Sequence, residues 1–412
     1  TDPNSSEAVS RFENDLLKTY AKENGLEFKI NYFDDTQKLL ESYDKNEIEV
    51  VAGRFVDNEW VQNHHLLPSS LYDEQELTMA CHPEIDFESP IQFFSRFDTL
   101  STADKINIKN QYPRSQLIQL NNINMKRLQM LKTKKQSCLF IDKIFQKLIL
   151  PLFPDLKYQD MDLSLGFHIY FSQQQPELVS TFSRWLQSQI RSGKLNEIRF
   201  NYFEHLNTFT SADYRLFEKR IRSRWPHLKK HIQNSAHEFG FPWQTIAAVS
   251  FRESQWEAQA ESHKNAMGLM QLTWPTAQHL GVDDPFDPQQ SLWGGAKYLR
   301  QLSDSFDEEL TSRNRFIFSL IAYNMGYAHL VDAFQLAEDF GLNSSQWIHI
   351  KKILPLMRLP TIIPQLKYGQ ANGFESMNFV DGILTYLDWF DLLALNETTS
   401  KPQKPLRRLV RK

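Results

Sequence analysis

The sequence contains few of the features that mark disulfide-rich, membrane-spanning or nucleic-acid-binding proteins. Only two of its 412 residues are cysteines, Cys81 and Cys138, too few for a disulfide framework or a cysteine metal cluster. The two thiols lie far apart in the sequence, so separate burial is favoured over a single bridge. No run of about 18 apolar residues occurs, and no bilayer-spanning segment is predicted. The net charge of −4 argues against a general nucleic-acid binder, which normally carries a dominant basic face.

The remaining composition is that of a globular protein with more than one domain. A chain of 412 residues is too long for one ordinary hydrophobic core and predicts about two to three domains. It begins at Thr1 without an apolar leader, as expected for a mature or trimmed product. The histidines, such as His263 and His279, follow no compact ligand spacing and form no HExxH motif. No metal or other cofactor is therefore predicted.

The pattern of apolar residues differs between the two halves of the chain. In the first half, strand patterns at 27–33, 48–52, 76–81, 116–120, 138–141 and 165–171 alternate with helical patterns at 7–24, 36–43, 124–131 and 174–192. This alternation predicts an α/β sheet with parallel pairing. From about residue 201 the strand patterns stop, and every later periodic segment is typical of a helix. The second half is therefore predicted to be all-α.

Glu253 stands on a helical segment that is otherwise apolar. The segment 242–256 begins with a proline at a first-turn position and continues through Ile246 and Val249 with little polarity, which predicts a buried helix. Helical spacing places Glu253 on the same face as these two residues. A buried carboxyl without a cationic partner has a raised pKa and remains a proton donor near neutral pH. Glu253 is thus a candidate general acid, unless it pairs with Arg252 or emerges into solvent.

Four short motifs follow Glu253 in order. Ser262 is followed by GLMQ at 268–271, AYNMGY at 322–327 and KYGQANGFESMNFV at 367–380. A buried glutamate followed by this series resembles the lytic transglycosylases of the soluble and membrane-bound types, whose catalytic domain is lysozyme-like. The resemblance covers roughly residues 214–395 and implies that this region cleaves peptidoglycan glycan strands.

The resemblance implies roles for the first matching residues. Glu253 would be the catalytic acid and then the base. Ser262 would hydrogen-bond the substrate near the glycosidic oxygen, while Met270 and Gln271 would line the cleft beside the reacting sugar.

The later motifs supply three further candidates. Tyr323 would donate a hydrogen bond to the N-acetyl or reacting-ring region, Asn324 would fix the turn, and Glu375 would orient the active-site residues. The sequence departs from the family pattern GLMQxMP at Thr273 and Trp274, which changes the residues expected at the floor of the subsite.

The first half resembles a different family. The run GLEFKINYFDDTQKLLESYDKNEIEVVAGRF at 25–55 and the segment 166–198 look like parts of the periplasmic solute-binding proteins of the amino-acid type. This implies a two-lobed clamp that binds a small molecule, with Arg54 as a candidate ligand-binding residue. A scaffold whose cleft is vestigial or packs against a neighbour is the alternative. The pairing of both halves is similar to membrane-bound lytic transglycosylases, in which the binding domain senses muropeptides and controls the catalytic domain.

These resemblances define the expected architecture. It is an α/β two-lobed periplasmic-binding-protein-like domain followed by an all-α lysozyme-like domain. The predicted boundaries are a regulatory domain at 1–203, a linker at 204–213, a catalytic domain at 214–395 and a disordered basic tail at 396–412.

The number of nearby carboxylates separates the chemical alternatives. Most glycosidases use two carboxyl groups about 5 to 9.5 Å apart, and near Glu253 the motifs offer only Glu257 and Glu261. With one carboxyl the sugar itself can supply the nucleophile, and the resemblance implies that the muramyl 6-hydroxyl does so and closes a 1,6-anhydro ring. The first hypothesis is therefore a periplasmic lytic transglycosylase, attached to the outer membrane of a Gram-negative bacterium through a segment outside this sequence. A lysozyme-type hydrolase and a non-catalytic muropeptide sensor are the alternatives.

Overall fold

The computed structural model of the protein describes residues 8–33, 36–96, 100–120, 123–307 and 309–394. The predicted tail at 396–412 lies outside these residues. Within them, none of the helices combines the length and apolar character needed to cross a membrane. The predicted sequence of an α/β half followed by an all-helical half is confirmed.

Strands and helices alternate through the first half. The strands are β1 (Val50–Phe55), β2 (Leu67–Pro68), β3 (Asp73–Cys81), β4 (Gln92–Arg96), β5 (Gln116–Leu120), β6 (Ser137–Asp142) and β7 (Lys157–Phe171). The helices are α1 (Ala8–Glu23), α2 (Thr36–Asp44), α3 (Glu59–Asn63), α4 (Thr102–Gln111), α5 (Met125–Leu131), α6 (Lys143–Ile149), α7 (Pro176–Ser192) and α8 (Lys194–Phe203).

The strands form one mixed sheet in the order β1-β7-β3-β6-β4-β5, and β2 also pairs with β7. The prediction of parallel pairing was wrong for most of this sheet. Among the described residues only β4 is parallel to its neighbours, β5 and β6. The 15-residue strand β7 returns antiparallel to both β1 and β3, and β3 is antiparallel to β6. Strand β7 therefore joins β1 and β2 to the rest of the sheet through its pairing with β3.

The strand predicted at 27–33 is not formed. These residues have no regular secondary structure. Phe28, Ile30 and Tyr32 are half-buried, which accounts for the alternating pattern, but none of the described strands pairs with them. Alternation indicates which side chains face inward, and a strand additionally needs a partner for its backbone groups.

Cys81 and Cys138 form a disulfide, so the prediction of two separate thiols was wrong. The antiparallel pairing of β3 with β6 places the two residues directly opposite each other, with their Cα atoms 4.0 Å apart. A separation of 57 residues along the chain gave no sign of this pairing, because it depends on strand order.

The second half is built from nine helices in its described part. They are α9 (Ser211–Ser223), α10 (Trp225–Glu238), α11 (Trp243–Ser254), α12 (Trp274–Leu280), α13 (Pro288–Asp304), α14 (Ser312–Met325), α15 (Tyr327–Asp339), α16 (Trp347–Ile353) and α17 (Gly373–Ala394). A two-stranded hairpin of β8 (Ala266–Met267) and β9 (Leu272–Thr273) interrupts them. Strands of two residues have no detectable periodicity, which explains why the sequence predicted only helices here. Helix α11 packs against α10 and α17, and α17 also packs against α14.

The two halves contact each other through polar groups on α17 and α14. A short 3-10 helix, Glu204–Asn207, joins α8 to the second half. From it His205 contacts Asp388 of α17 at 2.7 Å, and Arg11 of α1 contacts the same carboxylate at 3.1 Å. The amide of Asn201 donates to Asn314 of α14 at 2.9 Å. The chain then enters α9, whose N-terminus is closed by a capping box from Thr210.

Candidate active site

Glu253 lies at the end of a buried helix. All eight residues from Gln244 to Phe251 of α11 are buried, while Glu253 retains partial exposure. Burial raises the pKa of Glu253 from the ordinary 4.5 to about 8; the charge of Arg252 lowers it and that of Glu375 raises it. No ion pair joins Arg252 to Glu253 in the part of the chain that the structure describes. The expected rise in pKa is therefore present, and the structural alternative of an Arg252 partner is not realised.

The chain leaves α11 through two residues in the left-handed backbone region. Gln255 and Trp256 have φ angles of 51° and 61°, which side chains larger than glycine adopt at a cost. Burial of Trp256 to 2% exposure offsets this cost, and its indole N–H donates to Ser250 Oγ at 3.0 Å. Helix α11 thus stops immediately after Glu253 and leaves the carboxyl at the helix end.

The GLMQ segment folds into a loop that rests on the last turn of α11. Ser254 Oγ donates to the carbonyl oxygen of Leu269 at 2.9 Å. Gly268 has a φ of +74°, and a β-carbon there would lie 1.8 Å from the carbonyl oxygen of Pro285. Only glycine fits this position, because both the conformation and the space exclude a side chain.

Met270 and Gln271 hold this loop in shape. The side chain of Met270 is fully buried, and its backbone N–H donates to Ser291 Oγ at 3.2 Å. The side-chain amide of Gln271 donates to the carbonyl oxygens of Gly268 at 3.0 Å and Ala260 at 3.2 Å. Both side chains make structural contacts within the loop, and their contact with a sugar remains a prediction.

Tyr323 connects α14 to the same loop. Its hydroxyl donates to the carbonyl oxygen of Met270 at 2.8 Å. Burial raises the pKa of Tyr323 well above 10, and the charge of Glu253 raises it further. The phenol therefore stays protonated and lies within electrostatic range of Glu253.

Asn324 and Glu375 are brought together by a residue that the sequence analysis missed. The hydroxyl of Ser376, which is fully buried, donates to Asn324 Oδ1 at 2.8 Å. This bond ties the first turn of α17 to the end of α14, and the charge of the adjacent Glu375 reaches Glu253. Asn372 donates to Glu375 Oε2 at 3.3 Å. No motif singled out Ser376, because a serine in a helix carries no signal for a contact 52 residues away.

Ser262 lies in the turn before β8. Its hydroxyl oxygen accepts the backbone N–H of Ala266 at 3.1 Å and that of Lys264 at 3.3 Å. Both contacts use the oxygen as an acceptor, so within the described residues the hydroxyl hydrogen stays available to a ligand.

The other acidic residues near α11 in sequence do not join Glu253. Glu257 is exposed and pairs with Arg224, and Glu261 is also exposed. Across the described ranges, no group of three or more His, Cys, Asp or Glu side chains is arranged to hold a metal ion.

Arg54 belongs to a separate charged cluster in the first half. It is buried, with its guanidinium 3.2 Å from Asp73 and 3.5 Å from Asp142 and 3.9 Å above the ring of Phe167. Its backbone N–H donates to Glu13 at 2.8 Å, and burial raises the pKa of that carboxyl. The charge of Glu375 and the phenol of Tyr323 thus lie within electrostatic range of Glu253, whereas Arg54 lies in the first half of the chain.

The geometry around Glu253 can now be compared with known proteins. Residues 230–344 match the family model described as Transglycosylase SLT domain. The matched region contains Glu253, Ser262, the GLMQ loop and Tyr323, while Glu375 and Ser376 of α17 lie beyond it.

Curated relatives of the chain share one name, "Membrane-bound lytic murein transglycosylase F". The protein of Shewanella loihica is 37% identical over 52% of this chain and 45% of its own length, so the chain spans about half of that relative. That of Cellvibrio japonicus is 28% identical over 92% of this chain and 79% of its own length. That of Shewanella oneidensis is 26% identical over 97% and 84%, respectively. The similarity to the last two proteins thus extends over most of the chain, well beyond residues 230–344.

Solved structures similar to about half of the chain are solute-binding proteins. The substrate binding protein of an amino acid ABC transporter has a TM-score of 0.39 and 16% identity, covering 47% of this chain and 87% of its own. AbpA of Streptococcus pneumoniae, bound to L-arginine, has a TM-score of 0.40 and 14% identity, covering 48% and 85%, respectively.

Proposed function

We propose that this chain is a peptidoglycan lytic transglycosylase that cleaves the β-1,4 bond between N-acetylmuramic acid and N-acetylglucosamine without water. The observation that carries the proposal is the carboxyl of Glu253, whose pKa burial raises to about 8. One pH unit below its pKa a carboxyl is about 90% protonated, so Glu253 can donate a proton at neutral pH. The SLT match and the names of the relatives support the same activity.

The reaction needs Glu253 in two protonation states. As an acid, Glu253 gives its proton to the glycosidic oxygen while the bond from that oxygen to C1 of the muramyl sugar breaks. As a carboxylate, it then takes the proton of the 6-hydroxyl while the O6–C1 bond forms. The products are a 1,6-anhydromuramyl end and a free 4-hydroxyl, and the carboxyl returns to its first state.

The surrounding residues support this chemistry from fixed positions. Tyr323 is a neutral phenol within electrostatic range of Glu253. Its hydroxyl donates to the carbonyl oxygen of Met270, so the phenol oxygen can still accept a hydrogen bond. Ser262 can donate its free hydroxyl hydrogen to the substrate near the glycosidic oxygen. Met270 and Gln271 would shape the cleft through the loop that they hold.

A lysozyme-type hydrolase is the second candidate, and Glu375 favours it. The charge of Glu375 reaches Glu253 and raises its pKa, so a second carboxylate is present that could activate water. Glu375 is solvent-exposed, whereas a glycosidase base usually stands in a defined position opposite the acid. We therefore assign Glu375 an orienting and electrostatic role.

Mass spectrometry of digested murein separates the two candidates. A lytic transglycosylase releases muropeptides that are lighter by one water than the products of hydrolysis. Reducing muramic acid ends would overturn the proposal in favour of hydrolysis. Glu253→Gln should abolish release while Glu257→Gln, a matched change at an exposed glutamate, should leave it intact.

The first half is proposed to bind a small ligand such as a muropeptide, with Arg54 as a contact. Because Arg54 already lies between Asp73 and Asp142, an acidic ligand would have to compete with these carboxylates. Thermal-shift measurements with murein peptides and amino acids test this, and the absence of any shift would favour a scaffold. A periplasmic location at the outer membrane is part of the proposal, and the disulfide between Cys81 and Cys138 is typical of such an oxidising compartment.

A further inference from the structure

Helix α17 has a notch at Gly382 that is filled by the side chain of Arg252. A β-carbon at Gly382 would lie 2.9 Å from both Cδ and Nε of Arg252 and 3.3 Å from Cζ of Phe209. Real β-carbons essentially never come this close to another atom, so alanine at residue 382 would require the Arg252 side chain to shift. The present path of the Arg252 stem across the backbone of α17 therefore depends on glycine at residue 382.

Arg252 has no carboxylate partner in this position. Its Nε is buried and lacks a hydrogen-bond partner within the described residues, and no ion pair to it occurs there. Its charge is consequently not neutralised locally, and it acts on the titrating groups around it. It lowers the pKa of Glu253 and that of Tyr386, whose pKa burial raises to about 12.

The groups that face Glu253 come from three helices. Arg252 precedes it on α11, Glu375 lies on α17, and the neutral phenol of Tyr323 lies on α14. Glu375 and Gly382 are seven residues apart, which places them two turns apart on the same face of α17. The same face of α17 thus carries Glu375, whose charge reaches Glu253, and Gly382, which leaves room for Arg252.

We propose that Arg252, seated in the notch at Gly382, is a positioning residue whose charge sets the upper pH limit at which Glu253 acts. The inference rests on Glu253 as the general acid of the proposed function. Glu253 must first donate a proton and then accept one, so both its protonated and its ionised form are needed. Its burial and the nearby charge of Glu375 strongly favour the protonated form. The cation of Arg252 stabilises the carboxylate and so makes the base step accessible.

The first test removes the charge and keeps the stem. In Arg252→Met the alkaline limb of the rate of murein release should move upward by about one pH unit, the lower end of the range for an opposite charge nearby. In Arg252→Lys, which retains a cation, the limb should stay closer to that of the wild type. An unchanged limb in Arg252→Met would overturn the proposal.

The second test asks whether Gly382 acts through Arg252. Gly382→Ala should displace the arginine and move the limb in the same direction as Arg252→Met. In the Arg252→Met background the flexible and uncharged stem can yield, so Gly382→Ala should add no further shift. A further shift of similar size in that background would show that Gly382 does not act through Arg252.

A titration without turnover keeps this inference separate from the proposed function. The Glu253 carboxyl can be followed by 13C NMR with labelled glutamate and assigned by its loss in Glu253→Gln. Its midpoint should rise in Arg252→Met. If digests contain no anhydro ends, the proposed function fails while this titration still decides the role of Arg252; an unmoved midpoint overturns the role of Arg252 alone.

Discussion

Gly268→Ala tests whether the GLMQ loop is fixed by backbone contact. The new β-carbon would lie 1.8 Å from the carbonyl oxygen of Pro285, whereas ordinary contact begins at 3.4 Å, so one of the two segments must move by about 1.6 Å. The φ of +74° adds a conformational penalty. About 1–2 kcal/mol for the left-handed backbone and about 1–3 kcal/mol for overpacking combine to a loss of about 2–5 kcal/mol in the free energy of unfolding. Because the 412-residue chain is expected to unfold as one unit, the midpoint of thermal unfolding should fall by about 2–6 °C.

Gly281→Ala is the matched control for this change. Gly281 has a similar φ of +81°, but a β-carbon there meets no atom within 4 Å. It should therefore lose only the conformational part, about 1–2 kcal/mol, measured by urea and thermal unfolding of both variants. Murein release should fall further in Gly268→Ala, because a β-carbon would also crowd Ser291 Oγ at 2.9 Å, the acceptor of the Met270 N–H. Equal losses of stability in the two variants would refute the steric argument.

Three further predictions concern charge, a helix contact and the disulfide. The pKa of Glu253 in the folded protein lies near 8, above its ordinary 4.5, so its contribution to stability is full below pH 4.5 and is lost as the pH rises to about 8. In urea titrations, Glu253→Gln should therefore gain stability relative to the wild type as the pH rises through that window. A difference in stability that stays constant with pH would contradict the raised pKa. Ser376→Ala should cost about 1–2 kcal/mol and lower the murein release rate, since Asn324 loses its bond, whereas Ser376→Thr should recover part of both. Reduction of the disulfide between Cys81 and Cys138, which are 57 residues apart, should lower the free energy of unfolding by about 4 kcal/mol. Thermal melts with and without reductant test this. A variant with both cysteines replaced by serine should melt at the same temperature under both conditions.

The helical half could be predicted well from sequence because its signals are local. Apolar residues at helical spacing located α11, because the predicted segment 242–256 contains the observed helix Trp243–Ser254. Helix α17 begins at Gly373, and its first turn is stabilised by the contact of Ser376 with Asn324, which is distant in sequence. The domain boundaries remain predictions.

The sheet and the electrostatics of the site could not be predicted in the same way. The order of the strands depends on long-range pairing, and β7 pairs with strands about a hundred residues away. The disulfide follows from that order. Near Glu253, the sequence indicated a buried carboxyl, but the opposing effects of Arg252 and Glu375 depend on how α17 lies against α11. No spacing in the sequence encodes that packing.

The ion pairs at the far end of α17 determine how this protein can be divided. Asp388 is 4% exposed, and its partners, Arg11 and His205, both precede α9. Cutting the chain before α9 would remove both partners and leave the buried carboxylate of Asp388 without them. Breaking a buried pair in this way costs about 3–5 kcal/mol. The second half therefore depends on the first half for part of its stability, and the two should unfold in a single cooperative transition.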